Sequence, residues 1–232
     1  MRILGIETAT KTGSVAIVTD SGVIAEYTLN IELTHSERLM ATVDRVIKDT
    51  GLAVSDLDGF AVSIGPGSFT GLRIGLSAVK GLAFVTNKPV AAVPTLKALA
   101  WNLPYAQYPI CPLLDARKKE VYAAIYQNQD GSLTQAMPEA TISLKDLAGK
   151  IADKIVFTGE GANLFRNEIQ SLFGERAFFA PLSALVPSAA SVAELGLMML
   201  KAGGAADADS LTPLYIRRPE AEVAWEKRSQ SR

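Results

Sequence analysis

Two glycine-rich loops are where this chain has the residues to do chemistry. The run Ile64-Gly65-Pro66-Gly67-Ser68-Phe69-Thr70-Gly71-Leu72-Arg73-Ile74-Gly75 joins a strand-like segment to a helix of small residues. Free backbone N–H groups at such a helix start attract anions. The spacing fits neither common phosphate cradle. A Walker loop carries Lys-Ser/Thr directly after its last glycine, where this chain has Leu72; a dinucleotide loop needs G-x-G-x-x-G, and Gly65, Gly67 and Gly71 leave one spacer too many. The mechanics favour a structural turn that delivers a helix into close contact. The second loop, Gly159-Glu160-Gly161-Ala162-Asn163, also lies between an apolar strand and a helix. Gly159, Gly161 and Asn163 are its candidate cofactor-binding residues, although Glu160 would repel a phosphate there.

The other reactive side chains are sparse. His35 is the single histidine, so no catalytic triad, His–Cys pair or His-rich metal site can be assembled. Cys111 is the single cysteine; it lies in an apolar stretch and reads as a buried structural thiol. Asp115, Arg117, Lys118, Lys119 and Glu120 make a polar hairpin turn that either holds an acidic ligand or is simply solvated, and solvation is the simpler account. No acidic cluster has metal-binding spacing, so neither a catalytic residue nor a metal ligand is assigned.

With 232 residues, 48% of them hydrophobic, the chain can build one large or two small domains. Its formal net charge of -1 and lack of a basic block speak against tight nucleic-acid binding on its own. The apolar start is too short for a signal peptide and no apolar run is read as long enough to cross a bilayer, so a cytoplasmic protein without membrane contact is expected.

The elements that position these loops follow from periodicity. Arg2 to Thr8, Ser14 to Thr19 and Val23 to Leu29 read as a three-strand meander. Thr34-His35-Ser36-Glu37 is a capping box, with Thr34 accepting from the Glu37 backbone, and it opens a helix Ser36 to Thr50 that stops at Gly51. A strand Gly59 to Ile64, a helix Leu72 to Val85, a strand Val90 to Val93 and a helix Thr95 to Trp101 complete a βββαβαβα first half. The second half looks like a shortened echo: strands Ile110 to Asp115 and Glu120 to Tyr126, a polar stretch, a helix near Leu144 to Ala148, a strand Ile155 to Thr158, then helices Leu164 to Leu172 and Ala189 to Lys201. Pro104, Tyr105 and Pro109 mark the boundary, which divides the chain into 1–104, 105–210 and a tail 211–232.

Inside the helix after the first loop, Gly71, Gly75 and Ala78 recur at i, i+4 and i+7, with Ser77 and Gly81 beside them. A glycine in a helix costs about 1 kcal/mol relative to alanine. Such a stripe implies close approach by either the chain's own sheet or a helix of another molecule, and the sequence leaves both open.

Leu4-Gly5-Ile6-Glu7-Thr8, Ser14-Val15-Ala16-Ile17, the Gly65 to Gly75 string, Asp115-Ala116-Arg117 and Glu120-Val121-Tyr122 resemble the bacterial TsaB (YeaZ) family over essentially the whole chain. The resemblance implies an α/β, two-lobed actin-like (ASKHA, RNase H-like) fold with a shortened second lobe. It also implies a scaffold needed for threonylcarbamoyladenosine formation in tRNAs that read codons starting with A. In that role the chain heterodimerises with the catalytic paralogue TsaD and recruits the ATPase TsaE, while a separate threonylcarbamoyl-adenylate synthase supplies the activated group. ATP and a metal ion then belong to the partner assembly, this chain binds neither tightly alone, and tRNA is met only through the complex.

TsaD carries an H-x-x-x-H pair where, aligned by the preceding strand, this chain has Thr95 and Leu99, so the resemblance implies a copy without the catalytic metal site. It places the partner surface on the helices Ser36 to Thr50 and Gly71 to Val85. There Leu39, Val43, Gly71, Gly75 and Ala78 would pack closely and Arg73 would supply a cation, and the same surface can make a homodimer. A bulky residue at Gly75 is expected to abolish pairing and leave the monomer folded. Arg217, Arg218, Lys227 and Arg228 are candidate contacts to tRNA phosphates within the assembly. The alternative is an actin-fold ATPase or small-molecule kinase, or a metallopeptidase-like enzyme; the missing histidines and the imperfect second loop count against it.

Overall fold

The computed structural model describes residues 1–31 and 34–217. β1 (Arg2–Glu7), β2 (Gly13–Thr19) and β3 (Gly22–Leu29) form the antiparallel meander. β4 (Gly59–Gly65) joins β1 in parallel and β5 (Val90–Pro94) joins β4, giving the order β3-β2-β1-β4-β5. Parallel neighbours need crossovers, and the chain supplies them with α1 (His35–Thr50) and α2 (Phe69–Thr86), followed by α3 (Thr95–Trp101).

The second lobe holds β6 (Ile110–Asp115), β7 (Glu120–Gln129), β8 (Ser132–Ser143), α4 (Leu144–Lys150), β9 (Ile155–Thr158), α5 (Glu160–Leu164), α6 (Arg166–Phe173) and β10 (Ala177–Phe179), and α7 (Ala189–Lys201) follows. Its sheet order, β8-β7-β6-β9-β10, repeats the first sheet strand for strand. The echo is therefore less shortened than its sequence suggests. β8 occupies the stretch read as merely polar, because an edge strand with much of its length facing water needs little apolar residue content. The helix expected over Leu164 to Leu172 is two short helices that break at Phe165.

Each sheet is buried on both faces. In the first, alternation sends Leu4, Ile6, Val15 and Ile17 toward α1 and α2, and Ile3, Ala16, Val18 and Ala61 toward α7. In the second, Leu113, Val121 and Ala123 meet α4 and α6, while Ile110, Leu114, Tyr122 and Tyr126 meet Leu96 and Leu99 of α3. Each half of the chain thus gives its last helix to the sheet of the other half. This corrects the division at residue 104: α7, placed in the second lobe by its sequence position, covers the first sheet, whose inner face needs a second layer.

α2 brings a second correction. Its 18 residues and mean hydropathy of 1.2 meet the length and composition needed to cross a bilayer. Here the helix lies across the first sheet with Leu72, Leu76, Val79 and Ala83 buried.

Candidate partner interface

α1 starts where Thr34 and Glu37 close on each other. The Glu37 carboxylate accepts from the Thr34 N–H at 2.8 Å and from its hydroxyl at 2.6 Å. The Glu37 N–H turns back on Thr34, 3.2 Å from its carbonyl oxygen, and the capping box read from the sequence is present. Gly51, at φ 67, ends the helix in the left-handed region. α2 starts at Ser68, whose hydroxyl accepts from the Gly71 N–H at 3.2 Å.

The glycine stripe of α2 faces inward. A Cβ at Gly71 would lie 2.0 Å from the Thr8 carbonyl oxygen, and one at Gly75 would lie 2.3 Å from Thr8 Oγ1. The Thr8 hydroxyl donates to the Gly71 carbonyl at 2.8 Å, which fixes the helix on the end of β1. Leu39 and Val43 are buried against the same sheet. Leu39, Val43, Gly71 and Gly75 are thus core residues and not the outer surface proposed for them, and a bulky Gly75 cannot leave the monomer untouched. Ala78 is half-buried beside them. Arg73 is exposed but engaged: its Nε donates to the Tyr215 hydroxyl at 2.8 Å, with the guanidinium 5.7 Å from that ring's centre.

A different set of residues faces outward. A Cβ at Gly81 would meet no atom within 4 Å, so nothing inside the described fold requires a glycine there. Phe84 is 86% exposed, Val85 82% and, on the neighbouring α1, Met40 51%. The sequence carried this signal, since α2 is apolar on more of its circumference than one sheet can bury.

Behind that surface, the first turns of both helices converge on the β1–β2 turn. His35 Nε2 lies 2.7 Å from the Thr10 carbonyl; a carbonyl only accepts, so Nε2 carries the proton and Nδ1 accepts from Arg38 Nη2 at 3.3 Å. Arg38 also donates to the Lys11 carbonyl at 2.7 Å and the Leu29 carbonyl at 3.1 Å. Burial, and the Arg38 charge beside it, hold the His35 pKa below its ordinary value against the pull of the Thr10 carbonyl. His35 is therefore a neutral joint and not only part of a cap.

Sequence reasoning passed over Glu7. It is fully buried at the end of β1, where its Oε1 accepts from the Ala9 N–H at 2.5 Å. Its Oε2 and the Ser63 hydroxyl oxygen have no hydrogen-bond partner among the described residues. Burial pushes the Glu7 pKa up to about 7, against the pull of the Ala9 N–H, the nearby Ser63 hydroxyl and the Thr8 N–H.

The second glycine loop is not an open cradle. Gly159 sits at φ 93, and a Cβ there would lie 2.2 Å from the Leu113 carbonyl oxygen. Gly161 presses on Leu113 as well, while Asn163 is exposed. Their spacing lets α5 lie on the backbone of β6. Thr95 is buried, its hydroxyl accepting from the Gly65 N–H at 3.1 Å, and Leu99 is buried under the second sheet. Among the described residues no three His, Cys, Asp or Glu side chains gather as a metal would require. Arg218, Lys227 and Arg228 lie outside the described residues; Arg217 is bound within the fold, to Ala116 and Glu120.

A family model described as tRNA N6-adenosine threonylcarbamoyltransferase, TsaD, matches residues 22–225. The tRNA threonylcarbamoyladenosine biosynthesis protein TsaB of Bacillus subtilis is 35% identical over 97% of this chain and 98% of its own length. Among solved structures, YeaZ from Pseudomonas aeruginosa superposes with a TM-score of 0.78 at 28% identity, covering 92% of this chain and 99% of that one. The ROK hexokinase of Thermus thermophilus, at 10% identity, 88% of this chain, 100% of its own and a TM-score of 0.52, shares the fold alone, which is the actin-like one.

Proposed function

The chain belongs to the TsaB (YeaZ) family of tRNA threonylcarbamoyladenosine biosynthesis proteins, and from that premise we propose that it is the non-catalytic scaffold of the modifying complex, pairing with TsaD through the outer faces of α1 and α2. The observation that carries this reading is Gly81. It is exposed inside a helix, unexplained by packing among the described residues, and shares that helix with the exposed side chains of Phe84 and Val85. Exposed apolar groups of this size on neighbouring helices, with a glycine that permits close helix approach, suit a helical partner. Met40 adds an exposed apolar side chain on α1, and Arg73, held by Tyr215, is exposed on α2.

On this reading TsaE joins the pair, ATP and the metal ion act in the partner assembly, and the chain meets tRNA through the complex, in the cytoplasm. With TsaD absent the same face accommodates a second copy of the chain. The enzymatic alternative finds no support at Thr95, Leu99 or Gly159, each of which already has a packing role.

Amide exchange of the full chain, with and without TsaD, tests the interface. Protection is expected along α1 and α2, on segments carrying Met40, Ser77, Gly81 and Phe84. Protection confined to the second lobe would contradict it.

A further inference from the structure

We propose that residues 206–217 are a strap that locks the two lobes against hinge motion, so that the surface of α1 and α2 and the second lobe move as one body. The inference rests on the chain's own packing and is independent of the partner assigned above. Among the described residues, the chain passes between the lobes, besides the strap, at 102–109 and at 180–188, and the two crossings lie side by side. Asn102 Nδ2 donates to the Ala184 carbonyl at 3.4 Å and the Val186 carbonyl at 3.0 Å, and the Ser191 hydroxyl donates to Asn102 Oδ1 at 2.7 Å. Two adjacent connections at one edge are the construction of a hinge.

The strap supplies a third connection away from that edge. It is fastened to the first lobe along its length. The Ala206 N–H donates to the Val90 carbonyl at 2.8 Å, Lys80 Nζ donates to the Asp209 carbonyl at 3.0 Å, and the Leu214 N–H donates to the Ile64 carbonyl at 2.7 Å. The Tyr215 ring lies 5.0 Å from that of Phe69. The next residue, Ile216, packs against the apolar cluster under the second sheet, the one that holds Leu96, Leu114 and Tyr122. Arg217 then donates from Nη1 to the Ala116 carbonyl at 2.5 Å and from Nη2 to the Glu120 carboxylate. Four consecutive residues thus carry the chain from one lobe to the other.

Hinge and strap stand at opposite ends of α3. Leu214 covers Gly65, whose N–H bonds Thr95 at the first residue of that helix, and Asn102 caps its last turn. Seven residues of helix put about 10 Å between them, enough lever arm for a tie to stop an opening rotation. The turn that Arg217 grips is itself unusual: Arg117, Lys118 and Lys119 stand at φ 66, 54 and 62, three successive non-glycine residues in the left-handed region. Such a turn persists only where its flanks are held, and Ala116 and Glu120 are those flanks. Lys11 of the first lobe and Asp115 and Arg117 of the second all lie within electrostatic reach of Glu160.

The test is a distance distribution between spin labels on Thr28→Cys and Asp153→Cys, exposed positions in opposite lobes. The native thiol of Cys111 is fully buried and does not label. The parent chain is expected to give one narrow distance, and Arg217→Ala to widen it at least twofold with the helical circular dichroism unchanged. Glu120→Gln removes the charge from the same anchor, leaves the Ala116 carbonyl bond and the strap itself in place, and is expected to widen the distribution in the same direction by a smaller factor. If Arg217→Ala fails to fold, Glu120→Gln decides alone. Widths and centres unchanged in the folded variants would overturn the lock.

Discussion

Replacing Gly81 separates a surface kept for a partner from one that merely faces water. In the isolated chain a Cβ at Gly81 enters open space, so Gly81→Ala meets no steric penalty. It gains helix propensity of about 0.8–1 kcal/mol, which for a chain of this size raises the melting temperature by about 2–4 °C. Gly81→Arg keeps good helix propensity and leaves the monomer folded, but sets a long charged side chain where a helix would approach the backbone. The expected loss of affinity for TsaD is at least tenfold, about 1.4 kcal/mol or more. Thermal unfolding of the isolated variants and calorimetric titration with TsaD measure the two effects separately. A lower melting temperature for Gly81→Ala would show an internal role that the geometry does not contain. A Gly81→Arg chain that binds TsaD as tightly as the parent would refute the assignment of the α2 outer face.

Gly75 is expected to behave in the opposite way. Gly75→Ala puts a Cβ 2.3 Å from Thr8 Oγ1 and should cost about 1–3 kcal/mol in urea unfolding, with TsaD affinity falling only as the folded fraction falls; an unchanged midpoint contradicts the inward stripe. Glu7 sets a pH dependence. Because folding raises its pKa from 4.5 to about 7, the folded state holds a proton that the unfolded chain releases, so stability is full below pH 4.5 and declines as pH rises through 7, by about 3 kcal/mol at most. Glu7→Gln should flatten that decline between pH 5 and 8 in urea titrations, and a decline of the same size in the variant would exclude Glu7 as its source. Cys111 is buried, and that burial pushes its thiol pKa up, so a disulfide reagent should modify it no faster than the chain unfolds; a rapid phase in native buffer would place the thiol elsewhere.

The first half of the fold is legible in the sequence because its signals are local. The capping residues around Thr34, the stop at Gly51, and the alternation in β1 and β2 each depend on near neighbours. β8 escaped because an edge strand keeps polar residues, and α7 changed lobes because helix periodicity says that a face is buried but not against which sheet. The same ambiguity misled the interface. Leu39, Val43, Gly71 and Gly75 carry the pattern of close packing, and that pattern is identical whether the partner is β1 or another protein. What distinguishes Gly81 is an empty volume, which no spacing reveals. Glu7 lies within the strand read over Arg2 to Thr8, and only the packing of the whole fold makes it a fully buried acid.

In the proposed role the chain is a required partner and performs no transfer itself. The most direct measurement is a reconstituted assay of threonylcarbamoyladenosine in tRNA, with TsaD, TsaE and the adenylate-forming enzyme present and this chain added or left out. Modification is expected only when the chain is added, and none when it is the sole protein supplied with threonylcarbamoyl-adenylate and tRNA. Equal modification without it, or transfer by the chain alone, would contradict the account.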